Sequence, residues 1–299
     1  MQKQKVAILG CTGMLGSMIL RTFASNNEFD LIATYRSSKP REFRTNLYSN
    51  VVFRKIDVEK DSLKKITSMI KEANWIINAV GIIKPYIHTN SNKEVERAIQ
   101  INSVFPWKLA QISDHIDARV IQIATDCVFS GRKGNYIESD LPDAQDIYGK
   151  SKSLGEVSAK NIYNIRCSLI GPEVRTHSSL MDWLLYQPKN AVINGFTNHF
   201  WNGITTLHFA KICQGVIKNK TSLPQIHHLV PSDSITKAEL LMVLTKKFGR
   251  KDIKIRRVKK ELLDLRLKTT DPKLNQKLWR HAGYKVIPSI TEMVDELSV

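Results

Sequence analysis

The segment Lys5-Val6-Ala7-Ile8-Leu9-Gly10-Cys11-Thr12-Gly13-Met14-Leu15-Gly16 decides how the rest of the chain is read. Val6 to Leu9 are apolar on consecutive positions, the pattern of a strand covered on both faces. Beyond the glycines, Leu15, Met18, Ile19 and Phe23 fall on one helical face. Gly10, Gly13 and Gly16 therefore occupy a strand-to-helix turn with the spacing G-x-x-G-x-x-G. Glycines in such a turn let the backbone bend tightly and approach a pyrophosphate, and the last one lets helix and strand pack closely. The helix N-terminus, with Thr12, Met14 and Leu15 around it, offers N–H groups to the anion. Three glycines can also build an empty turn. Their place at the first strand–helix junction points to a bound dinucleotide.

Outward from this turn, strand-like runs recur at 30–35, 51–56, 75–80, 119–124 and 163–169. Amphipathic stretches lie between them, one marked by Leu63, Ile66 and Ile70. Strand–helix alternation implies an α/β fold with a doubly wound parallel sheet of the Rossmann type. After Gly171-Pro172 the rhythm changes. Thr236 with Glu239, and Ser289 with Glu292, read as capping boxes that open two late helices, the first stopping near Gly249. The expected division is a dinucleotide-binding domain over 1–171 and a smaller α/β substrate lobe over 172–299, with segments that interleave. The lobe would cover the carboxyl edge of the sheet, where such folds bind ligands.

The end of the second strand discriminates between cofactors. An NAD site usually places a carboxylate there to bind the ribose hydroxyls. This strand ends Tyr35-Arg36, followed by Ser37, Ser38 and Lys39, so a guanidinium is available for a 2′-phosphate. NADP(H) is expected to be preferred, with NAD(H) as the alternative; an Arg36 that merely points into water is the plainer reading. Asp57 and Val58, after the third strand, are expected at the adenine edge. Asn78, Ala79, Val80 and Gly81, ending the fourth, would pass close to the cofactor.

Tyr148-Gly149-Lys150-Ser151-Lys152 contains a tyrosine and a lysine four apart, which share a helical face. Tyr35 and Lys39 have the same spacing, but they sit at a strand end that runs into a proline. Context favours Tyr148, which follows the fifth strand and its terminal Thr125-Asp126. A phenol is a poor acid–base group at neutral pH unless a cation stabilises its anion. Lys152 can do so, and Thr125 can hydrogen-bond and polarise a carbonyl oxygen. Asn102, on a helix starting near Glu94, is expected behind Lys152, supporting a water relay. Each residue alone could be ordinary: a surface pair, a capping threonine, a helix asparagine.

Composition narrows the classes. The chain has 299 residues, 42% of them apolar and 24% charged, as a soluble protein with a sizeable core would. No apolar run approaches the roughly 18 residues of a membrane span, so no membrane association is expected. Cys11, Cys127, Cys167 and Cys213 lie far apart without a C-x-x-C pair, which fits a cytoplasmic protein and excludes a zinc ribbon. No metal-ligand cluster is evident. The net charge of +17 admits nucleic-acid binding, polyanionic small molecules or compositional bias. The densest basic run, 246–260, is interrupted by Ile253, Ile255 and Val258 and lacks aromatic interleaving. Nucleic acid is accordingly not the expected partner.

The Gly10/Gly13/Gly16 turn, Asn78-Ala79, Asn102, the run Ile123-Ala124-Thr125-Asp126-Cys127-Val128-Phe129-Ser130-Gly131, Tyr148 with Lys152, and Ile165-Arg166-Cys167-Ser168 together carry a resemblance. The sequence resembles the extended short-chain dehydrogenase/reductases, and among them the dTDP-4-dehydrorhamnose reductase family. The resemblance implies NADPH-dependent reduction of a 4-keto-6-deoxy sugar nucleotide in the making of bacterial surface polysaccharide such as lipopolysaccharide. Thr125, Tyr148 and Lys152 match the family's catalytic positions. A homodimer through helices beside the sheet is common in that superfamily. The substrate-facing candidates are Lys84, Asp126, Cys127, Arg166, Ser168, His199, Trp201 and Thr205, with a structural ion pair equally open for Arg166 and aromatic core packing for Trp201. Two segments depart from the family pattern: Ile82-Ile83-Lys84-Pro85-Tyr86, and Asn198 to Thr206, where Ile204 replaces a proline. They leave the nucleotide open between dTDP, UDP and GDP. Alternatives are an epimerase with tightly held NAD(P), or a non-catalytic NADP-binding regulatory subunit like the family's partner of methionine adenosyltransferase. A dehydratase usually carries Asp-Glu after the threonine; Asp126-Cys127 argues against one.

Overall fold

The computed structural model describes residues 3–38, 41–174 and 178–298. Strand β1 (Gln4–Leu9) buries Val6 through Leu9 and ends at Gly10, whose φ of +79° suits glycine. A Cβ on Gly16 would lie 2.1 Å from the Gly10 carbonyl oxygen. Helix α1 (Met14–Ala24) can start directly against β1 because Gly16 has none. The chain continues through β2 (Phe29–Tyr35), β3 (Val51–Lys55), α2 (Leu63–Ile70), β4 (Trp75–Asn78), α3 (Asn92–Ile99), α4 (Phe105–His115), β5 (Arg119–Ile123), α5 (Ile147–Leu154) and β6 (Ile162–Arg166). It then forms β7 (Leu169–Ile170), α6 (Leu180–Leu185), β8 (Val192–Phe196), β9 (His199–Trp201), β10 (Ile204–Thr205), α7 (Thr206–Lys218) and β11 (Ile226–His228). Last come β12 (Ile235–Thr236), α8 (Lys237–Lys247), β13 (Lys254–Val258), β14 (Leu263–Asp264), α9 (Pro272–His281) and α10 (Ile290–Asp295).

The main sheet runs β11-β6-β5-β4-β1-β2-β3, parallel throughout. Its topological switch falls between β1 and β4, so a crevice opens beyond their carboxyl ends. One face is covered by α2 and α4. The other packs on α1, which α7 covers in turn. Two segments after residue 172 thus belong to this layer: α7, and β11 as the outermost strand. The rest of the late chain builds small sheets pairing β8 with β13, β9 with β12 and β14, and β7 with β10. Both expected capping boxes are present, opening α8 and α10. Glu138 ties the late chain to β11. It accepts hydrogen bonds from the His228 amide, the Thr269 hydroxyl and the Thr270 amide.

Two strand expectations need correction, and one strand was not expected. The run 163–169 is not one strand: pairing with β5 and β11 ends at Arg166, and Leu169–Ile170 turns to pair with β10. The run 75–80 leaves the sheet after Asn78, whose side chain accepts from the Val80 amide at 3.1 Å and donates to Gln122 at 2.8 Å. β11 gives no apolar signal because its Ile226-His-His228 sequence holds two histidines. In the basic run, β13 half-buries Ile255 and Val258 and turns Lys254, Arg256 and Arg257 to solvent. Replacing Gly16→Ala should destabilise the fold by about 2 kcal/mol through overpacking, read by denaturant unfolding; an unchanged midpoint would contradict the close approach of β1 and α1.

Candidate active site

A cleft of about 440 Å³ lies at the switch point. Gly10, Thr12, Gly13 and Met14 form its floor, and Tyr35 and Arg36 come in from β2. Val58 and Glu59 follow β3, and Ala79, Val80 and Gly81 follow β4. The turn is locked onto β2: the Gly10 amide donates to the Thr34 hydroxyl at 3.1 Å and the Cys11 amide to the Thr34 carbonyl at 2.9 Å. Among the described residues no side chain caps α1, so its first-turn N–H groups are left for another acceptor at the end of the helix that meets the cleft. A turn in which a Gly16 side chain has no room, an uncapped helix N-terminus and a nearby guanidinium together fit a dinucleotide.

Some expected residues lie beneath this surface. Leu15, Gly16 and Asn78 are buried under it. Asp57 shapes its own loop: its side chain accepts from the Glu59 amide at 3.1 Å, and its amide donates to Asp61 at 2.8 Å. Lys39 lies outside the described residues. Sequence reasoning missed Glu59 and Arg97. Arg97, on α3, grips the Glu59 carboxylate at 2.9 and 3.1 Å, and Arg36 reaches the same carboxylate at 3.5 Å. A carboxylate is therefore present at the end of β2 after all, supplied by the loop after β3.

The far wall of the cleft leads to the expected catalytic residues. Helices α3 and α4 are joined by one π-helical stretch, Gln100–Val104, a distortion that often marks functional sites. It turns Asn102 inward, where its side chain accepts from the Ile82 amide at 2.8 Å and donates to the Ile82 carbonyl and the Ser151 hydroxyl at 2.9 and 3.1 Å. Asn102 thus clamps the cleft wall to α5, with both its N–H donors engaged. Asp146 caps α5 through the Gly149 amide at 2.9 Å. A Cβ on Gly149 would come within 2.2 Å of the Cys127 carbonyl, so α5 lies directly against the segment after β5.

On α5, Lys150 is exposed while Lys152 is buried, as their spacing from Tyr148 implies. The Lys152 ammonium donates to the Ile123 carbonyl at 2.7 Å. Burial pulls its pKa down to about 8, against the opposing charge of Glu156. Burial, with the Cys127 sulfur nearby, pushes the Tyr148 phenol up, while contact with the Thr125 side chain works the other way. At neutral pH the phenol is therefore protonated and ready to donate, with Thr125 beside it and a cation one helical turn away. Thr125 also bonds Asp126 and the Cys127 amide, both at 3.1 Å.

The substrate-side candidates divide. Lys84 pairs with Asp146 at 2.9 Å and stands 6.0 Å from the Tyr148 ring centre. Cys127 is pushed up to about 12 by burial and by Asp126, which leaves an unreactive thiol. Trp201 is buried with its indole N–H unpartnered. Lys237, unforeseen in the sequence, lies 5.1 Å over its ring with its charge toward Asp126 and Cys127. Ser168 offers its carbonyl to the Ile204 amide at 2.9 Å. Three further candidates have protein partners of their own. Arg166 is 2% exposed and spends its guanidinium on Glu156 at 2.7 Å and on His228, so it is a structural ion pair. Thr205 caps α7 and bonds His208 at 2.6 Å. His199 turns to the Glu261 carbonyl at 3.0 Å and stacks on Phe196. Among the described residues no group of side chains could hold a metal, and no helix is long and apolar enough to cross a membrane.

Residues 4–298 match the family described as the RmlD substrate binding domain. Among curated proteins, the chain is similar to methionine adenosyltransferase 2 subunit beta of Bos taurus. The identity is 24% over 258 residues, covering 82% of this chain and 72% of that protein. It is also similar to the spore coat polysaccharide biosynthesis protein SpsK of Bacillus subtilis, 34% identical over 105 residues, or 32% of this chain and 37% of that one. Among solved structures, dTDP-4-dehydrorhamnose reductase from Bacillus anthracis in complex with NADP shares the fold. It superposes with a TM-score of 0.72 at 19% identity, over 99% of both chains.

The buried groups give two measurable consequences. Lys152→Met removes a buried charge and should raise stability at pH 7 by about 3 kcal/mol, the equivalent of the pKa shift. Its folded-state pKa lies below the unfolded value, so the folded state binds fewer protons between about 8 and 10.5. The wild type therefore gains stability as pH rises through that window, and the advantage of the variant fades there; a less stable variant at pH 7 would contradict the assignment. Arg166→Ala leaves Glu156 unpaired and should cost about 3–5 kcal/mol in denaturant unfolding. Loss of turnover without loss of stability would return Arg166 to the substrate site.

Proposed function

The chain belongs to the RmlD substrate binding domain family, and from that membership we propose that it is an NADPH-dependent reductase of a 4-keto-6-deoxy sugar nucleotide, acting in polysaccharide biosynthesis. The observation that carries this reading is the gathering of Thr125, Tyr148 and Lys152 where β5 meets α5, which Asn102 ties through Ile82 to the wall of the glycine-turn cleft. The Gly10–Gly16 turn, Arg36 and the segment 79–81 would hold the dinucleotide, which supplies the hydride when bound. Tyr148 gives its proton to the keto oxygen. Thr125 donates a hydrogen bond to the same oxygen and polarises the carbonyl. Lys152, freed from the Ile123 carbonyl, stabilises the phenolate left behind. Lys84 and Lys237 bring positive charge to the phosphate oxygens of the substrate. Asn102 acts through position, fixing Ile82 and α5 relative to each other.

On this reading the partner is a nucleotide sugar and the chain works in the cytoplasm. A homodimer would use the α4–α5 face, where Trp107 and Leu154 are 50% and 64% exposed. A second reading, a regulatory subunit that binds the dinucleotide without turning it over, is favoured by the likeness to the beta subunit of methionine adenosyltransferase.

The test is a panel of dTDP-, UDP- and GDP-linked 4-keto sugars with NADPH, followed at the nicotinamide absorbance. At least one should be reduced, and Tyr148→Phe should lose at least about a hundredfold in turnover while still binding NADPH. Full activity in that variant refutes the role of Tyr148. An inert wild type that forms a stable complex with a methionine adenosyltransferase catalytic subunit replaces the first reading with the second.

A further inference from the structure

Two arginines and one glutamate meet at the adenosine end of the cleft. Arg36 follows β2, Arg97 comes from α3, and Glu59 from the loop after β3; all three line the same cavity. The Glu59 carboxylate takes Nε and Nη2 of Arg97 at 2.9 and 3.1 Å and Nη1 of Arg36 at 3.5 Å. It therefore holds together two like charges that would otherwise repel. The loop that carries it is fixed by its own hydrogen bond to Asp57 and by Asp61. The side chains are 55%, 37% and 25% exposed for Arg36, Arg97 and Glu59, and ion pairs this open to water exchange partners at little cost.

We propose that Glu59 competes with the cofactor's 2′-phosphate for the guanidiniums of Arg36 and Arg97, so that Glu59 sets how strongly the phosphorylated dinucleotide is preferred. This rests on the reading that the cleft binds a dinucleotide. A phosphate monoester carries about −1.5 to −2 charges at neutral pH, more than one carboxylate, and arginine grips it with paired N–H groups. It displaces Glu59 and takes both guanidiniums. A ribose 2′-hydroxyl cannot displace the carboxylate but can donate a hydrogen bond to it. The same side chain thus opposes the phosphate and accepts the hydroxyl. Arg97 becomes a second phosphate-binding residue, on an element remote in sequence from Arg36.

The test is titration of NADPH and NADH by nicotinamide fluorescence, reading dissociation constants on the wild type, Glu59→Gln and Arg97→Ala. Glu59→Gln should raise the preference for NADPH over NADH about tenfold, and Arg97→Ala should lower it about tenfold. A preference unchanged in Glu59→Gln, or equal shifts for both dinucleotides, overturns the proposal while leaving the cleft a dinucleotide site. A wild type that binds neither dinucleotide overturns the reading of the cleft and the proposal with it.

Discussion

Lys152 is 7% exposed, and its ammonium donates a hydrogen bond to the Ile123 carbonyl at 2.7 Å. That buried charge constrains the site around it. β5 must end at Ile123 to present the carbonyl, and α5 must lie close enough for a lysine to reach it. Two glycines allow the approach: a Cβ on Gly149 would strike the Cys127 carbonyl, and one on Gly155 would fall 1.9 Å from the Asn102 carbonyl. The π-helical stretch between α3 and α4 supplies the opposing clamp, where Asn102 and Ser103 bond Ser151. Keeping a charge out of water is unfavourable, and the Ile123 carbonyl and the charge of Glu156 offset part of that cost.

The sequence made the sheet legible because its strands are buried on both faces. Consecutive apolar residues, four at 6–9 and three at 31–33 and 75–77, admit few other readings once helical patterns separate them. The first turn and the Tyr148/Lys152 pair were legible for a different reason: glycine spacing and helical spacing are geometric rules that survive without tertiary context. Less legible are side chains whose surroundings come from distant segments. For Arg166 the sequence leaves a substrate contact and a structural ion pair open; in the fold Glu156 and β11 enclose it. Thr205 is polar at a strand end, but its hydroxyl caps the helix that follows. β11 was invisible because burial of His227 and His228 depends on Glu138 and the late chain.

The cofactor edge shows the same limit. Reading the end of β2 alone finds Arg36 and no carboxylate; the fold then brings Glu59 across from the neighbouring strand's loop and Arg97 from α3. Lys237 arrives at Asp126 from the late lobe in the same way. Local basic residues at the cleft are therefore a small part of a net charge of +17, and the remainder is spread over surfaces such as β13. Charge at the site is set by which segments meet there, not by the composition of the chain.

Tyr148 and Lys152 are proposed to serve a hydride transfer at the switch point of the sheet. The decisive measurement incubates the protein with NADPH carrying deuterium at both nicotinamide C4 positions and a 4-keto sugar nucleotide that it consumes. Deuterium is expected on C4 of the product sugar, one atom per cofactor oxidised, seen by NMR or mass spectrometry. Product formed without label, or with the cofactor unchanged, would contradict the proposal.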